Sequence, residues 1–502
     1  MPKEQDLIER RVLPKFNWEA LHINLLNSKM NLTKTDYLNL ENCGITRETV
    51  SIQIEKLRNG PEALHIEGAC VLNDGIIALN SGEKKRLIDQ FEGRVANVQV
   101  TMFTPASGAA TRMFKHLINP ISDVKLYQGF LDNITRFAFF QKMEISHTNE
   151  ETIAFLLNKE GLNYAQLPKA MIPFHKYDGE IRNAIDDQII EGLFYLNLGK
   201  GFTFHFTISP AHEKIVKAHL EAILPDLEHR FQTPINVEFS FQEKHTETIA
   251  LTEKGDLVRN EKNEVLTRPG GHGALIHNLN TIKSDLIFVK NIDNIAREEY
   301  HPEVIAYKKV IGSYLLEKQH QVFKMLIELD SDVSQIRCNE ISNWLKTNLK
   351  QRVNANRKDL KNALNRPIRV CGMVKNEGKA GGGPFWVGNQ VQIVESAQMD
   401  VNNLEIQKIL KRASHFNPVD VVCGVKDYLG EKFDLTEYVD ESTFFVSQKS
   451  YQGQNIKVLE HPGLWNGAMA NWLTFFVEVP VVTFNPVKNV NDLLLKEHCK
   501  EI

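Results

Sequence analysis

Short runs of β-branched and aromatic residues alternate with amphipathic stretches between residues 96 and 310, and this alternation limits the possible folds more than any other feature. The strand-like runs are residues 98–104, 202–208, 237–242 and 286–294, and helix-like stretches at 182–193 and 212–224 lie between them. Strands and helices that alternate at this spacing are typical of a doubly wound, mostly parallel sheet. We therefore predict an α/β fold whose ligands bind outside the carboxyl ends of the strands.

The regions on either side of this alternation predict further layers. Residues 1–95 are predicted to form a mostly helical N-terminal layer. Residues 96–400 are predicted to be the main domain, with helical inserts near 117–165 and 300–365 and a further strand at 368–374. Residues 401–502 are predicted to be a mixed α/β C-terminal segment that completes the ligand site.

Composition excludes several classes of function. The chain has 502 residues, enough for a large core, and a net charge of -4, which provides no basic field for nucleic acid. We find no apolar run long enough to cross a membrane and no signal-peptide core in the first residues. The six cysteines are far apart and form no Cys-x-x-Cys pair, which indicates a reducing cytoplasm and buried thiols. Small molecules are the expected partners.

One turn carries the first functional signal. Residues 106–111 are all small and connect the strand at 98–104 to a helix-like run. A helix that begins at such a turn would direct the backbone N–H groups of Ser107, Gly108 and Ala109 toward an anion. Arg112 adds a planar guanidinium that suits phosphate oxygens. Small-residue turns also occur for packing reasons, so the turn alone leaves both interpretations open.

Further polar and glycine-rich segments follow in order along the chain. They are Pro168-Lys169, Gln242, Pro269-Gly-Gly271-His272-Gly273, Asn291-Ile-Asp293-Asn294, Gly381-Gly382-Gly383 and Asn485-Pro-Val-Lys488. Each has a structural interpretation as well. Lys169 could be a solvated surface lysine, and Asp293 could cap a turn. The three glycines could form a sugar-binding loop beside Phe385 and Trp386, or a tight turn in the core.

Taken in this order, the segments resemble the sugar nucleotidyltransferases, most closely the UDP-glucose and UDP-sugar pyrophosphorylases. The resemblance covers roughly residues 100–495, with long divergent inserts, and implies a fold of the nucleotide-diphospho-sugar transferase type. The chain is also similar to an uncharacterised bacterial branch of this superfamily, of the kind described as a domain of unknown function. It departs from the family at Ser107, Ala109 and Ala110, which stand where glycines are usual.

The resemblance implies a reaction between a nucleoside triphosphate and a sugar-1-phosphate, with release of pyrophosphate. The Gly-His-Gly segment, which cradles uracil in that family, implies that the nucleotide is UTP. It assigns catalysis to Arg112, Lys169 and Lys488, nucleotide binding to Ser107, Gly108, Ala109, Gln242, Gly271 and His272, sugar-phosphate binding to Gly382, Gly383 and Asn485, and Mg²⁺ binding to Asp293. His272 is expected to position the base and not to act as an acid or base.

Two other classes of function stay open from the sequence. A regulatory protein that binds a nucleotide or nucleotide sugar without turnover is favoured by the serine and alanines of the loop. A glycosyltransferase that uses a preformed nucleotide sugar is disfavoured, because Asn291-Ile-Asp293 holds one carboxylate where those enzymes usually carry two.

Overall fold

The computed structural model describes residues 32–143, 148–198, 201–378 and 382–500. The described part of the chain divides into two units. The smaller unit combines Met1–Gly60, described from residue 32, with Lys244–Gly270 and Val446–Glu460. The larger unit consists of Pro61–Glu243, Gly271–Phe445 and His461–Ile502. Gly381 of the predicted glycine loop lies outside the described residues.

Nineteen strands are found in the described residues. They are β1 (Ile66–Ala69), β2 (Val71–Leu72), β3 (Gly75–Ile77), β4 (Gln99–Pro105), β5 (Pro173–Tyr177), β6 (Glu180–Asn183), β7 (Gly201–Thr207), β8 (Val237–Ser240), β9 (Thr248–Thr252), β10 (Thr267–Arg268), β11 (Leu286–Val289), β12 (Ile368–Lys375), β13 (Gly383–Val387), β14 (Gln390–Val394), β15 (His415–Phe416), β16 (Val421–Gly424), β17 (Phe445–Tyr451), β18 (Gln454–Glu460) and β19 (Leu473–Glu478).

Thirteen α-helices are found in the described residues. They are α1 (Lys34–Asn42), α2 (Arg47–Asn59), α3 (Ser81–Val95), α4 (Lys115–Ile118), α5 (Val124–Asp132), α6 (Asn149–Leu157), α7 (Ala184–Leu196), α8 (Glu213–Phe231), α9 (Leu275–Leu279), α10 (His301–Asp330), α11 (Gln335–Leu349), α12 (Arg357–Leu364) and α13 (Leu404–Arg412).

A ten-stranded sheet forms the centre of the larger unit. Its order is β2-β3-β19-β12-β16-β11-β4-β7-β8, and β15 pairs with β12. Every pairing along this path is parallel except the two made by β16, which runs antiparallel between β12 and β11. The prediction of an α/β fold with a mostly parallel sheet is confirmed. The antiparallel strand and β19 both come from residues 401–502, so this segment lies within the sheet.

Both faces of the sheet are covered, which explains the continuous apolar runs in its strands. In β12 the side chains of Ile368, Val370 and Val374 pack in one hydrophobic cluster. Cys371 and Met373 of the same strand pack in another. Alternate residues of a strand point to opposite faces, so a strand buried on both sides has no polar alternation.

The smaller unit contains α1, α2 and the four-stranded sheet β10-β9-β18-β17. Asp36 of α1 accepts hydrogen bonds of 2.8 and 2.9 Å from the two terminal nitrogens of Arg259. The Gln53 side chain of α2 accepts a 2.9 Å hydrogen bond from the backbone N–H of Ile249 in β9. These contacts join the helices to β9 and to the segment that follows it, across about 200 residues of sequence.

No helix among the described residues is long and apolar enough to cross a membrane. The division of the chain at residues 95 and 400 stays a prediction.

Candidate functional site

Two lysines from distant segments meet at one carboxylate. Lys169 Nζ lies 2.9 Å from Asp293 Oδ2, and Lys488 Nζ lies 3.2 Å from the same oxygen. Lys169 Nζ also donates a 2.9 Å hydrogen bond to the carbonyl oxygen of Val487. Asp293 follows β11 in the chain, beyond the carboxyl end of a central strand. The structure therefore brings together three of the predicted residues at the edge where ligands of such sheets bind.

The charges at this point favour an anion. Burial alone would raise the pKa of Asp293, but the charges of Lys169 and Lys488 outweigh it and hold the pKa below its usual value. The carboxylate is therefore ionised at neutral pH, and with two ammonium groups the net charge is positive. The Lys169 side chain is 16% exposed and the Lys488 side chain 63%, so Lys488 can reach a bound ligand without leaving the protein surface.

The backbone around Asp293 is joined to the segment that carries Lys488. Asn294 and Pro486 form an antiparallel bridge, and the Val487 N–H donates to the Asp293 carbonyl at 3.0 Å. The Asn485 N–H donates to Asn294 Oδ1 at 2.7 Å, while the Asn485 side chain donates to its own turn at Val482. Asn485 thus fixes the turn, and its contacts here are with the protein.

Gln188 of α7 holds the same turn from the buried side and was missed by the sequence interpretation. Its Nε2 donates to the carbonyl oxygens of Asn291, Ile292 and Asn294 at 2.9, 3.3 and 3.3 Å. Twelve of the thirteen residues of α7 are buried, including Gln188 and Glu191, which pairs with Lys290. A polar side chain on a helix that is otherwise apolar on all sides needs a buried hydrogen-bond partner. That pattern is the sequence signal that could have pointed to the role of Gln188.

The small-residue turn lies against the segment that carries Lys169. Ala109 and Pro168 form an antiparallel bridge, and the Lys169 N–H donates to the Gly108 carbonyl at 3.1 Å. Ser107 is half-buried, whereas Gly108 and Ala109 are exposed. The loop predicted to bind phosphate therefore lies beside one of the two lysines.

The prediction that a helix begins at this turn is wrong. A three-residue 3-10 turn, Ala110–Arg112, is followed by the four-residue helix α4. Met113 and Phe114 are fully buried, and the Thr111 hydroxyl donates to the Ala165 carbonyl, so tertiary packing decides the path of the chain. Arg112 is exposed and forms no ion pair with the residues that the structure describes. A phosphate bound here would contact individual backbone N–H groups and Arg112, and it would gain no stabilisation from the dipole of a long helix.

His272 is fixed by three neighbours. Its ring stacks on Trp465 with centroids 4.3 Å apart and an angle of 20°. Its Nδ1 accepts a 3.1 Å hydrogen bond from the Leu464 N–H, and Nε2 lies 3.8 Å from Glu395 Oε1. Because one ring nitrogen is occupied by the backbone, the geometry is consistent with a positioning role. Trp465 was missed from sequence, although it follows a Pro-Gly turn.

The glycines around His272 allow close packing of backbone. A Cβ on Gly273 would lie 2.2 Å from the Pro462 carbonyl oxygen. Gly271 has φ +77°, a left-handed conformation that favours glycine. Gln242 lies two residues beyond β8, and its Nε2 donates to the Gly271 carbonyl at 3.3 Å. The structure thus brings together the three residues predicted to contact the base.

A cavity of about 400 Å³ has Lys488 in its lining. Its lining residues are Asn291, Gly382, Glu395, Ser396, Ala397, Phe416, Asn417, Pro418, Val419, Trp465, Phe484 and Lys488. Aromatic rings next to amide, hydroxyl and charged groups suit a sugar with a charged substituent. Gly382 lines this cavity, whereas Gly383 does not; a Cβ on Gly383 would lie 2.7 Å from the Phe385 ring.

One wall of this cavity is held by a constrained turn. Asn417 Oδ1 accepts from the Val419 N–H at 3.0 Å, and Asn417 Nδ2 donates to the Gly372 carbonyl at 2.9 Å. Val419 has φ +56°, which is unfavourable for a β-branched residue and costs about 1–3 kcal/mol. A strained backbone of this kind persists only where the surrounding contacts hold it, and here the two hydrogen bonds of Asn417 do so.

Comparison with known proteins places this chain in a family. The family model described as Domain of unknown function (DUF4301) matches residues 33–499. The chain belongs to this family. No curated protein matches the sequence.

Solved structures of UDP-sugar pyrophosphorylases are similar to this DUF4301 chain. A mutant UDP-glucose pyrophosphorylase from Leishmania major, in complex with UDP-glucose, has 13% identity and a TM-score of 0.44, with 94% of this chain and 78% of that chain covered. The uridine diphosphate N-acetylglucosamine pyrophosphorylase from Trypanosoma brucei has 11% identity, a TM-score of 0.49 and coverages of 95% and 81%. UDP-glucose phosphorylase from T. brucei has 14% identity, a TM-score of 0.44 and coverages of 91% and 77%.

Asp293 is the carboxylate that a divalent cation would meet beside the two lysines of this DUF4301 chain. Among the described residues, no group of three or more histidine, cysteine, aspartate or glutamate side chains could hold a metal. Mg²⁺ is commonly bound by one or two carboxylates together with substrate phosphates. Asp293 therefore fits Mg²⁺ as part of a nucleotide complex, in which phosphate oxygens supply the other ligands.

Proposed function

We propose that the chain is a nucleotidyltransferase that joins a nucleoside triphosphate, UTP by its sequence resemblance, to a sugar-1-phosphate and releases pyrophosphate. The observation that supports it most is the convergence of Lys169 and Lys488 on Asp293. These residues are 124 and 195 positions from Asp293 in sequence, and the backbone of Lys169 also contacts the turn at Gly108.

The reaction requires anions to be brought together and their charge to be neutralised. An oxygen of the sugar-1-phosphate attacks the α-phosphorus, and the bond from that phosphorus to the pyrophosphate oxygen breaks. Electrostatic stabilisation and positioning account for most of the catalysis of phosphoryl and nucleotidyl transfer. Phosphate oxygens would compete with Asp293 for the ammonium groups of Lys169 and Lys488, and both lysines would then stabilise the charge that develops at the α-phosphorus.

Other residues are assigned by their place around this pair. The exposed Gly108 and Ala109 and the half-buried Ser107 would lie along the triphosphate, with Arg112 available to its outer phosphates. Gln242, Gly271 and His272 would contact the base. The cavity beside Lys488 would hold the sugar, with Gly382 and Glu395 in its lining. Asp293 would hold Mg²⁺, which neutralises phosphate charge when it is bound.

The first test is pyrophosphate release by the purified chain with Mg²⁺, each of the four nucleoside triphosphates and a panel of sugar-1-phosphates. We expect release with UTP and one sugar, and a loss of about a hundred- to a thousand-fold in Lys488→Ala. Lys176→Ala is the matched control, because Lys176 is exposed on β5 and forms no ion pair with the residues described.

A separate measurement of nucleotide binding distinguishes the enzyme from a regulatory protein on the same fold. Nucleotide binding without pyrophosphate release across the whole panel would contradict the proposal and support a regulatory nucleotide-binding protein. The Ser107 and Ala109 side chains favour that alternative, since each adds a Cβ where a triphosphate would approach the backbone.

A further inference from the structure

A second cavity in the larger unit lies beside β3 and β19 and has a volume of about 260 Å³. More than half of its lining residues are apolar, including Ile76, Trp386, Val391 and Phe476. The described lining contains no acidic residue and one charged side chain, the exposed Lys350. It shares no lining residue with the cavity next to Lys488.

A buried positive charge lies behind one wall of this second cavity. Thr474 lines the cavity, and its hydroxyl accepts a 2.9 Å hydrogen bond from Nε of Arg369 in β12. Arg369 is 0% exposed and forms no ion pair with any residue in the described part of the chain. Burial lowers the pKa of Arg369, yet a guanidinium stays protonated in proteins, so its charge is uncompensated. A buried charge of this kind is costly unless an anion pairs with it.

Two buried donors, on Arg369 and Trp472, have no hydrogen-bond acceptor among the described residues. Nη1 of Arg369 donates to the Trp465 carbonyl at 2.7 Å, but Nη2 has no hydrogen-bond partner. The indole Nε1 of Trp472 is also buried without a partner. Thr474 Oγ1 donates to the Trp472 carbonyl at 3.3 Å, a long hydrogen bond that is easily exchanged for a better acceptor. Arg369 and Trp472 thus each have a donor without an acceptor, and the donor of Arg369 is charged.

We propose that this cavity binds a small organic carboxylate with an apolar or aromatic body. The Thr474 hydroxyl would turn its proton from the Trp472 carbonyl to the carboxylate while still accepting from Arg369. The charge of Arg369 would strengthen that hydrogen bond. Trp386, Ile76 and Val391 would contact the apolar body, and Lys350 would attract the anion from solvent. A nucleotide or sugar phosphate suits the cavity less, since its lining offers one ammonium group among mostly apolar side chains.

The test compares two probes of the same shape and different charge. Binding of 4-fluorobenzoate and of its neutral counterpart 4-fluorobenzamide to the full chain is followed by ¹⁹F NMR titration. We expect 4-fluorobenzoate to bind at least about tenfold more tightly, because one charge-assisted hydrogen bond contributes this much or more. Thr474→Val should weaken 4-fluorobenzoate binding about tenfold, whereas Thr203→Val, a threonine of β7 outside this cavity, should leave it unchanged.

Arg369 is left intact in this experiment, because its Nη1 holds Trp465, whose ring stacks on His272. If Thr474→Val does not fold, the surface variant Lys350→Gln provides the second measurement, with a two- to threefold loss of 4-fluorobenzoate affinity expected and no change for 4-fluorobenzamide. Equal affinity for the two probes, no binding of 4-fluorobenzoate, or an unchanged affinity in the variant would overturn the proposal. No turnover is measured, so the outcome is independent of the proposed transferase reaction.

Discussion

Asp293 is the residue on which the stability of the candidate site depends. The Asp293→Asn change takes the carboxylate away from the half-buried Lys169 and leaves a carbonyl as its remaining strong acceptor, so we expect the free energy of unfolding to fall by about 2 kcal/mol. Lys488→Ala removes a side chain that is 63% exposed, and we expect a loss below about 1 kcal/mol. Urea unfolding of the two variants measures the difference. Equal losses would contradict this, because they would show that Lys488 alone accounts for the contribution of the carboxylate to stability.

Asp36 gives the chain a measurable dependence on pH. The hydrogen bonds from Arg259 lower the pKa of Asp36 to about 2, against about 3.9 in an unfolded chain. A carboxylate whose pKa is lower in the folded state stabilises the fold above the unfolded pKa, and this stabilisation is lost as the pH falls toward 2. At pH 7 we expect Asp36→Asn to cost about 2 kcal/mol.

Hydrogen–deuterium exchange measures this loss where it occurs, since Asp36 and Arg259 both lie in the smaller unit. Peptides from α1 and β9 should exchange faster in the variant at pH 7, and the difference from the native chain should shrink as the pH is lowered below about 4. Peptides from α10 in the larger unit serve as the control. A difference that stays constant with pH would mean that the Asp36→Asn variant loses packing around the new amide and not the charge interaction with Arg259.

At the scale of elements, substitutions at Gly108 and Gly273 distinguish a glycine required for packing from one that would contact a ligand. A Cβ on Gly108 would meet no atom within 4 Å, so Gly108→Ala should change stability by less than about 0.5 kcal/mol. A Cβ on Gly273 would lie 2.2 Å from a backbone oxygen, and Gly273→Ala should be strongly destabilising. If the turn binds a triphosphate, Gly108→Ala should still lower pyrophosphate release about tenfold or more. Thermal unfolding and the release assay together test this, and full activity in Gly108→Ala would exclude close approach of phosphate to that backbone.

The same elements show what could be predicted from sequence about the site. Lys169, Asp293 and Lys488, which the structure brings together, could be predicted because each lies in a short segment with a recognisable order along the chain. Gln188 and Trp465 were missed, because their roles depend on contacts with residues more than 100 positions away. The helix predicted at Ala110 was wrong, since burial of Met113 and Phe114 decides the local path. Local pattern thus predicted three residues that the fold brings together, but it did not predict the contacts that hold them there.

At the scale of the whole molecule, apolar runs and their spacing were enough to predict the parallel sheet. The antiparallel position of β16 was not predictable, because a strand buried on both faces has the same apolar pattern whichever way it runs. Its direction depends on the long connection through α13 and the turn at Asn417, where tertiary contacts decide. Sequence therefore specified the fold class and the mostly parallel sheet, whereas the order and direction of the strands required the structure.

The cysteines report on the integrity of this buried sheet. Cys43 and Cys499 are half-buried, whereas Cys70, Cys338, Cys371 and Cys423 are buried. Burial raises the pKa of Cys371 to about 11, and the pKa values of Cys70 and Cys423 are raised further by burial. A thiol reacts as its thiolate, so at pH 8 each of these three should react at least about a hundredfold more slowly than an ordinary exposed cysteine.

We therefore expect an aromatic disulfide reagent to modify two thiols rapidly in the native chain, and to modify the four buried thiols only as the structure around each of them opens. In urea above the unfolding midpoint, all six should react together. Mass spectrometry of the early product should place the label on Cys43 and Cys499. Rapid labelling of Cys371 or Cys423 in the absence of urea would show that β12 and β16 separate on the timescale of the reaction, and that the centre of the sheet is less stable than its burial indicates.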